Sequence, residues 1–226
     1  MVTVKIDLAH RNNYGSVRNL DKIKYIVIHY TGNDGDHDES NANYFNAYRG
    51  VSAHYFVDDD SITQSVPDGN VAWAVGGAKW NDCPQTGGGK WYGKCTNNNS
   101  ISIELCDTVR DGKSGFTEKT LRNAADLAKL LMKKYNIPIE NVIRHFDVNG
   151  KHCPAPMMDS KPWAAFKARL EDDEVVTKEK IEFFGKEIEC ELIRKDGKVY
   201  PYIRDFGEKV GLKISNKGKM PVVEKK

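Results

Sequence analysis

Short apolar runs alternate along this chain with longer stretches whose apolar positions recur every three or four residues. Residues 24–30, KYIVIHY, form one branched apolar run, the pattern of a strand covered on both faces. DGDHDESNANYFNAYRG follows with turn and capping residues, and Tyr44, Phe45 and Tyr48 fall at helical spacing up to Gly50. SAHYFVDDDSITQSV predicts two strands joined by a turn over Asp58–Ser61. Residues 76–99, rich in Gly, Asn, Lys and Trp, predict a long loop, and such loops within a domain are usually functional or mobile. SISIELCD, residues 100–107, is strand-like again.

The clearest helix starts at Thr117 as N-cap, with Phe116 and Leu121 at the positions of a hydrophobic staple. Leu121, Ala125, Ala128, Leu131/Met132 and Tyr135 make one apolar stripe, and Pro138 follows its end; that stripe reads as core. NVIRH predicts a short strand, and Lys161–Leu170 a last helix carrying Trp163, Phe166 and Leu170. The expected fold is α/β, a mixed central β-sheet flanked by helices over residues 1–173. A charged linker over 174–180 and a small separate C-terminal α+β module over 181–226 complete it. In that module IEFFGKEIECELI alternates like one strand, KDG makes a turn, and VYPYIRDFGEKVGLKIS suggests strand, short helix and strand.

Composition narrows the classes. The 226 residues suit one ordinary domain plus something small, and no apolar run approaches the roughly 20 residues of a membrane helix. The N-terminal stretch has no long apolar core with a small-residue cleavage site, so a protein kept in the cytoplasm until released is expected. A net charge of +2 argues against a nucleic-acid binder. Residues 175–226 carry +4 and the remainder −2, a weak pointer to an anionic partner for the tail. Five cysteines make a disulfide framework unexpected, although Cys83 and Cys95 flank the glycine-rich loop and would be the pair to bridge after release. Cys106 reads as a small buried hydrophobe.

The candidate chemistry gathers around VIRHFDVNGKHCPAP, residues 142–156, where His145, Lys151, His152 and Cys153 crowd together. A lone strand-end histidine such as His29 is more often a hydrogen-bonded core residue than a ligand. Here, however, two strands each end in histidine, and Cys153 lies on a proline-braced loop nearby. Three N/S ligands with one open position is how a catalytic zinc is built, whereas structural sites close with four. No CxxC pair and no HExxH helix compete. Glu104, alternating with Ile103 and Leu105, lies either toward solvent or toward chemistry on the other face. Asp147 reads equally as a partner orienting a ligand imidazole or as a capping residue.

In their order and spacing, IVIHYTG, SAHYFVDD, NNNSISIEL and RHFDVNGKHCP resemble the zinc-dependent N-acetylmuramoyl-L-alanine amidases of the type-2 family. Peptidoglycan recognition proteins and several phage lysins share that fold. The resemblance covers roughly residues 1–173. It implies Zn²⁺ held by His29, His145 and Cys153, with His152 passed over through the Lys-x-Cys-Pro pattern. It implies Glu104 as acid/base, because Ala53 stands where some members carry a tyrosine, and Lys151 as the group on the oxyanion. Thr31 and Trp73 would line the substrate groove, Trp73 reading equally as buried core. The family often has a histidine where Ala74 stands, leaving His54 or the 76–99 loop to compensate.

The implied activity is cleavage of the amide between N-acetylmuramic acid and L-Ala of peptidoglycan. A non-catalytic peptidoglycan binder of the same fold is the alternative, disfavoured by the retained Cys153 and Glu104. The tail resembles the stalk or copper-amine-oxidase N-terminal-like repeat but has no histidine for copper; wall anchoring or self-association is its expected use. A phage endolysin released by a holin is the expected setting, a bacterial autolysin the other.

Overall fold

The computed structural model describes residues 4–110, 112–171, 175–195, 198–217 and 220–225. They divide into two compact units, 1–170 and 171–226.

The first unit is built on a mixed sheet. Its elements are β1 (Val4–Ile6), β2 (Tyr14–Val17), β3 (Tyr25–Asp34), α1 (Asp38–Tyr44), β4 (Tyr55–Val57), β5 (Ile62–Gln64) and β6 (Asn70–Ala72). After them come α2 (Cys83–Thr86), β7 (Ser100–Arg110), β8 (Lys113–Gly115), α3 (Glu118–Tyr135), β9 (Val142–Arg144), α4 (His145–Asn149) and α5 (Ser160–Ala168). The strand order is β1-β5-β4-β7-β3-β9, with β8 on β7 and a separate β2–β6 pair. Strands β4, β7, β3 and β9 run parallel, which brings their C-terminal ends to one rim.

Alternation along the strands divides the two faces. Ile26 and Ile28 of β3 and Ile101, Ile103 and Leu105 of β7 pack with Ala124, Ala125, Leu127, Ala128 and Leu131 of α3 in the main core. The intervening positions point the other way: Val27 joins a second cluster with Val75, Cys95, Ile143 and Val148, and His29 follows it in phase. Helix α3 begins as its sequence predicts, Thr117 accepting from Thr120 N, and ends at Asn136 in a left-handed conformation. Helix α1 stops at Tyr44, short of the expected Gly50. Buried Asn13 holds the following loop instead, donating to the carbonyls of Phe45 and Ala47 and accepting from the amides of Arg49 and Gly50.

The 76–99 loop is tied down. Trp80 N donates to Asn149 O, Gly89 N to Phe146 O and Trp91 N to Asp147 O, so the loop clasps α4. A Cβ on Gly88 would stand 2.8 Å from the Phe146 ring and 2.9 Å from Gly150 Cα, so the backbones meet only because glycines face each other.

The second unit comprises β10 (Val175–Phe183), β11 (Lys186–Lys195), β12 (Lys198–Pro201), α6 (Ile203–Lys209), β13 (Leu212–Lys217) and β14 (Met220–Lys225). Two expectations are corrected here. Residues 175–180, within the expected linker, lie in strand β10, with Lys178, Glu179 and Lys180 side by side along it. IEFFGKEIECELI is not one strand but the two arms of a hairpin, turning where Phe184 and Gly185 both take positive φ. Strand β12, α6 and β13 follow in the expected order. Cys190 and Leu192 are buried, and Phe183 meets Phe206 edge-on at 5.0 Å.

Candidate metal and catalytic site

Two adjacent strands and one loop converge on the rim. His29 lies within β3, His145 is the first residue of α4 directly after β9, and Cys153 sits on the segment beyond α4, where Phe146 N donates to Cys153 O. Their ligand atoms lie within 4.8 Å of one another, and all three residues are buried. His29 Nδ1 is 3.7 Å from Cys153 Sγ, and the two imidazoles meet at 4.7 Å between centroids. Zinc bonds of about 2.0 Å to nitrogen and 2.3 Å to sulfur at a tetrahedral angle would set N and S about 3.5 Å apart.

The polar atoms are otherwise orphaned. His29 Nε2 and both ring nitrogens of His145 are buried without a hydrogen-bond partner among the described residues. Burying unpaired imidazole nitrogens is costly, so an ion there would supply the missing interaction. The donor set is also electrically suited. Burial, with each other's charge and that of Lys151, holds His29 well below the ordinary imidazole range; burial and Lys151 hold His145 at about 4. Both rings are therefore neutral and able to coordinate near pH 7. Burial, reinforced by Glu104, pushes the Cys153 thiol up to about 12, so this cysteine would become a thiolate only on meeting a cation. The His-His-Cys cluster is compatible with a metal site.

Glu104 is the Cα register partner of His29 on the neighbouring strand, with Oε1 3.9 Å from His29 Nδ1. Its Oε2 is buried and unpartnered, and its side chain is 20% exposed. Burial raises its carboxyl to about 8; Lys151 opposes the rise, while Asp36 and Asp107 add to it. His29, Cys153 and Glu104, with Thr31, Gly32, Ser52, Ala53, Trp73, Ala74, Lys151 and His152, line a cavity of about 340 Å³.

A model of the N-acetylmuramoyl-L-alanine amidase family matches residues 19–156, more than half of the chain. The chain belongs to the N-acetylmuramoyl-L-alanine amidase family. A probable amidase of this name from Bacillus licheniformis is 32% identical over 173 residues, covering 71% of this chain and 46% of that protein. The amidase CwlH of Bacillus subtilis is 30% identical over 79% of this chain and 65% of its own length. Among solved structures, a mutant endolysin from Bacillus subtilis superposes with a TM-score of 0.58 at 31% identity, over 75% of this chain and 99% of its own. PlyL gives 0.59 at 31%, over 77% and 99%. The chain spans about half the length of the first curated relative and nearly the whole of these structures, and the family match does not reach the tail.

Within the amidase fold, each expected side chain has a definite place. Thr31 lines the cavity, but its hydroxyl donates to Asp107 Oδ1, which also accepts the Gly32 and Asn33 amides. Trp73 stands at the cavity and is 36% exposed, so the core reading fails. Asp147 does not reach an imidazole: it accepts from Arg144 N, Nε and Nη2, which is the capping reading. His54 is buried away from the cavity, accepting Ser102 N on Nδ1 with Arg18 Nη2 3.0 Å from Nε2, so it does not compensate for Ala74. Cys83 and Cys95 are free and buried, not bridged. Sequence reasoning missed two neighbours of the site, Asp36 and Asp107, whose charges reach Glu104. For Asp36 the signal was the aspartate-rich stretch after β3; Asp107 follows Glu104 on β7, where the strand pattern gives no such sign.

No helix among the described residues is long and apolar enough to cross a membrane.

Proposed function

We propose that this protein is a zinc-dependent N-acetylmuramoyl-L-alanine amidase that hydrolyses the amide joining N-acetylmuramic acid to L-Ala in peptidoglycan. The observation that carries this reading is the meeting of three buried ligand groups, two of them imidazoles with unpartnered nitrogens, with a carboxylate beside one cavity. His29, His145 and Cys153 would hold the ion. When bound, zinc supplies Lewis acidity that polarises a carbonyl and makes water more acidic. Glu104 accepts the proton of the attacking water and passes it to the departing amine of L-Ala. Lys151 sets its ammonium against the negative charge that grows on the carbonyl oxygen. The products are the muramic acid carboxylate and the free stem peptide.

The C-terminal module serves, on this reading, to hold the enzyme on the wall. Phe184, Tyr200 and Tyr202 are exposed there, and the tail carries the chain's basic excess. A phage lytic enzyme reaching the wall from the cytoplasm of its host fits the endolysin relatives named above. The deciding experiment follows free amino groups of L-Ala released from purified walls. Release should stop on chelation and return with zinc; release of reducing sugar instead, or activity indifferent to chelation, would contradict the reading.

A further inference from the structure

His152 had no part in the chemistry inferred from sequence, yet it lines the catalytic cavity beside Lys151 and Cys153. Its imidazole stacks on Trp80 at 5.8 Å between centroids, with 22° between the planes, and meets Phe146 edge-on. Trp80 is itself held in place, its amide donating to Asn149 O and its Cβ packed 3.0 Å from where a Cβ on Gly150 would stand. The two rings form a wall that is 58% exposed at His152 and 45% at Trp80.

That wall borders a groove. The catalytic cavity and a second one of about 430 Å³, lined by Trp80, Gly76, Gly77 and Asn149, share Val51, Trp73, Ala74 and Lys151. The two cavities thus adjoin along Trp73 and Lys151, with His152 lining the first and Trp80 the second. Flat apolar faces with a few polar groups between them suit a ring having apolar C–H faces and a polar edge. The neighbouring carboxylate, Asp82, 3.9 Å from His152 Nε2, balances the ammonium of Lys151 on the same two cavities, so no net charge favours an ionic occupant at this wall. The occupant is therefore neutral.

We propose that the Trp80–His152 wall, together with Trp73, is a subsite for a neutral N-acetylated sugar of the glycan strand, the one adjoining the sugar whose amide is cleaved. This rests on the amidase reading and makes the enzyme selective for glycan-linked peptides over single muramoyl peptides. Trp80 and His152 are here specificity residues, not catalytic ones.

Two soluble substrates decide it: N-acetylmuramoyl-L-Ala-D-isoglutamine, and the same compound extended by one N-acetylglucosamine. The wild-type holoenzyme should favour the disaccharide by about tenfold in kcat/KM, the worth of one good aromatic contact. Trp80→Ala and His152→Ala should bring that ratio close to one through KM, with the single-sugar substrate and zinc content little changed; His152→Phe should keep most of the preference. A wild-type ratio of one, variants that retain the ratio, or equal losses on both substrates would overturn the proposal. Cleavage of neither substrate would count against the amidase reading alone. Titration of Glu104→Gln with the disaccharide compound then decides the subsite, which is lost if adding Trp80→Ala leaves affinity unchanged.

Discussion

His29 and Glu104 are register partners on adjacent parallel strands, and their Nδ1 and Oε1 atoms lie 3.9 Å apart on the sheet face opposite α3. The pairing fixes the proposed ligand and the proposed base at one height without help from any loop. Their removal should have separable effects. Glu104→Ala should keep one zinc per chain and lose about 10²–10⁴-fold in turnover, the usual worth of a positioned acid/base. His29→Ala and Cys153→Ser should lose both zinc and activity, which metal analysis after dialysis would show. Full turnover by Glu104→Ala would remove it from the mechanism.

In Glu104→Gln, which removes the carboxyl raised to about 8 beside the cluster, zinc uptake should release about one proton per ion between pH 7 and 8. His29 and His145 are already neutral there, and only the Cys153 thiol, pushed up to about 12, has a proton to give. Calorimetry in two buffers of different ionisation enthalpy measures the number. A value near zero would mean that Cys153 is not a ligand.

The acid limb of the pH–rate profile should move in opposite directions in two variants. The base form of Glu104 must be unprotonated, and the positive charge of Lys151 lowers its pKa while Asp36 raises it. Lys151→Met should therefore move the limb to higher pH, at much reduced rate, and Asp36→Asn should move it to lower pH. Shifts of the same sign in both would show that the limb belongs to another group.

Gly88→Ala should weaken zinc binding by roughly 10–100-fold, the range seen when support behind metal ligands is removed. The added methyl would push the loop off Phe146 and Gly150, within the segment carrying His145 and Cys153. Competition with a chromophoric chelator is the measurement, and unaltered affinity would make the clasp irrelevant to the metal.

Shortening the chain to residues 1–170 should leave hydrolysis of small muramoyl peptides intact and reduce co-sedimentation with walls. Equal pelleting of both forms would end the anchoring role of residues 171–226.

Periodicity carried the long elements of the fold. The 18-residue helix α3 and the paired runs of β3 and β7 bury whole apolar faces, and such faces leave a strong imprint on spacing. The hairpin of β10 and β11 left none, because its two-residue turn uses Phe184 where glycine or asparagine would announce a reversal. The 76–99 segment was legible as loop, but its hold on α4 was not. That hold consists of backbone hydrogen bonds and glycine contacts, which have no periodic signature. At the site, His29, His145 and Cys153 were found from strand ends and family pattern together. Asp147 and His152 were decided only by geometry: one carboxylate turned to Arg144, one imidazole lay on Trp80.

The ligand cluster draws on residues 124 positions apart, from β3 near the start of the first unit to the segment just before α5. No shorter stretch of chain contains all three donors. A nascent polypeptide is thus chemically inert until Cys153 has been made and β9 has docked beside β3. On the amidase reading proposed above, the cell that synthesises the protein meets its activity only after the domain is whole, so the timing of danger is written into the order of the strands.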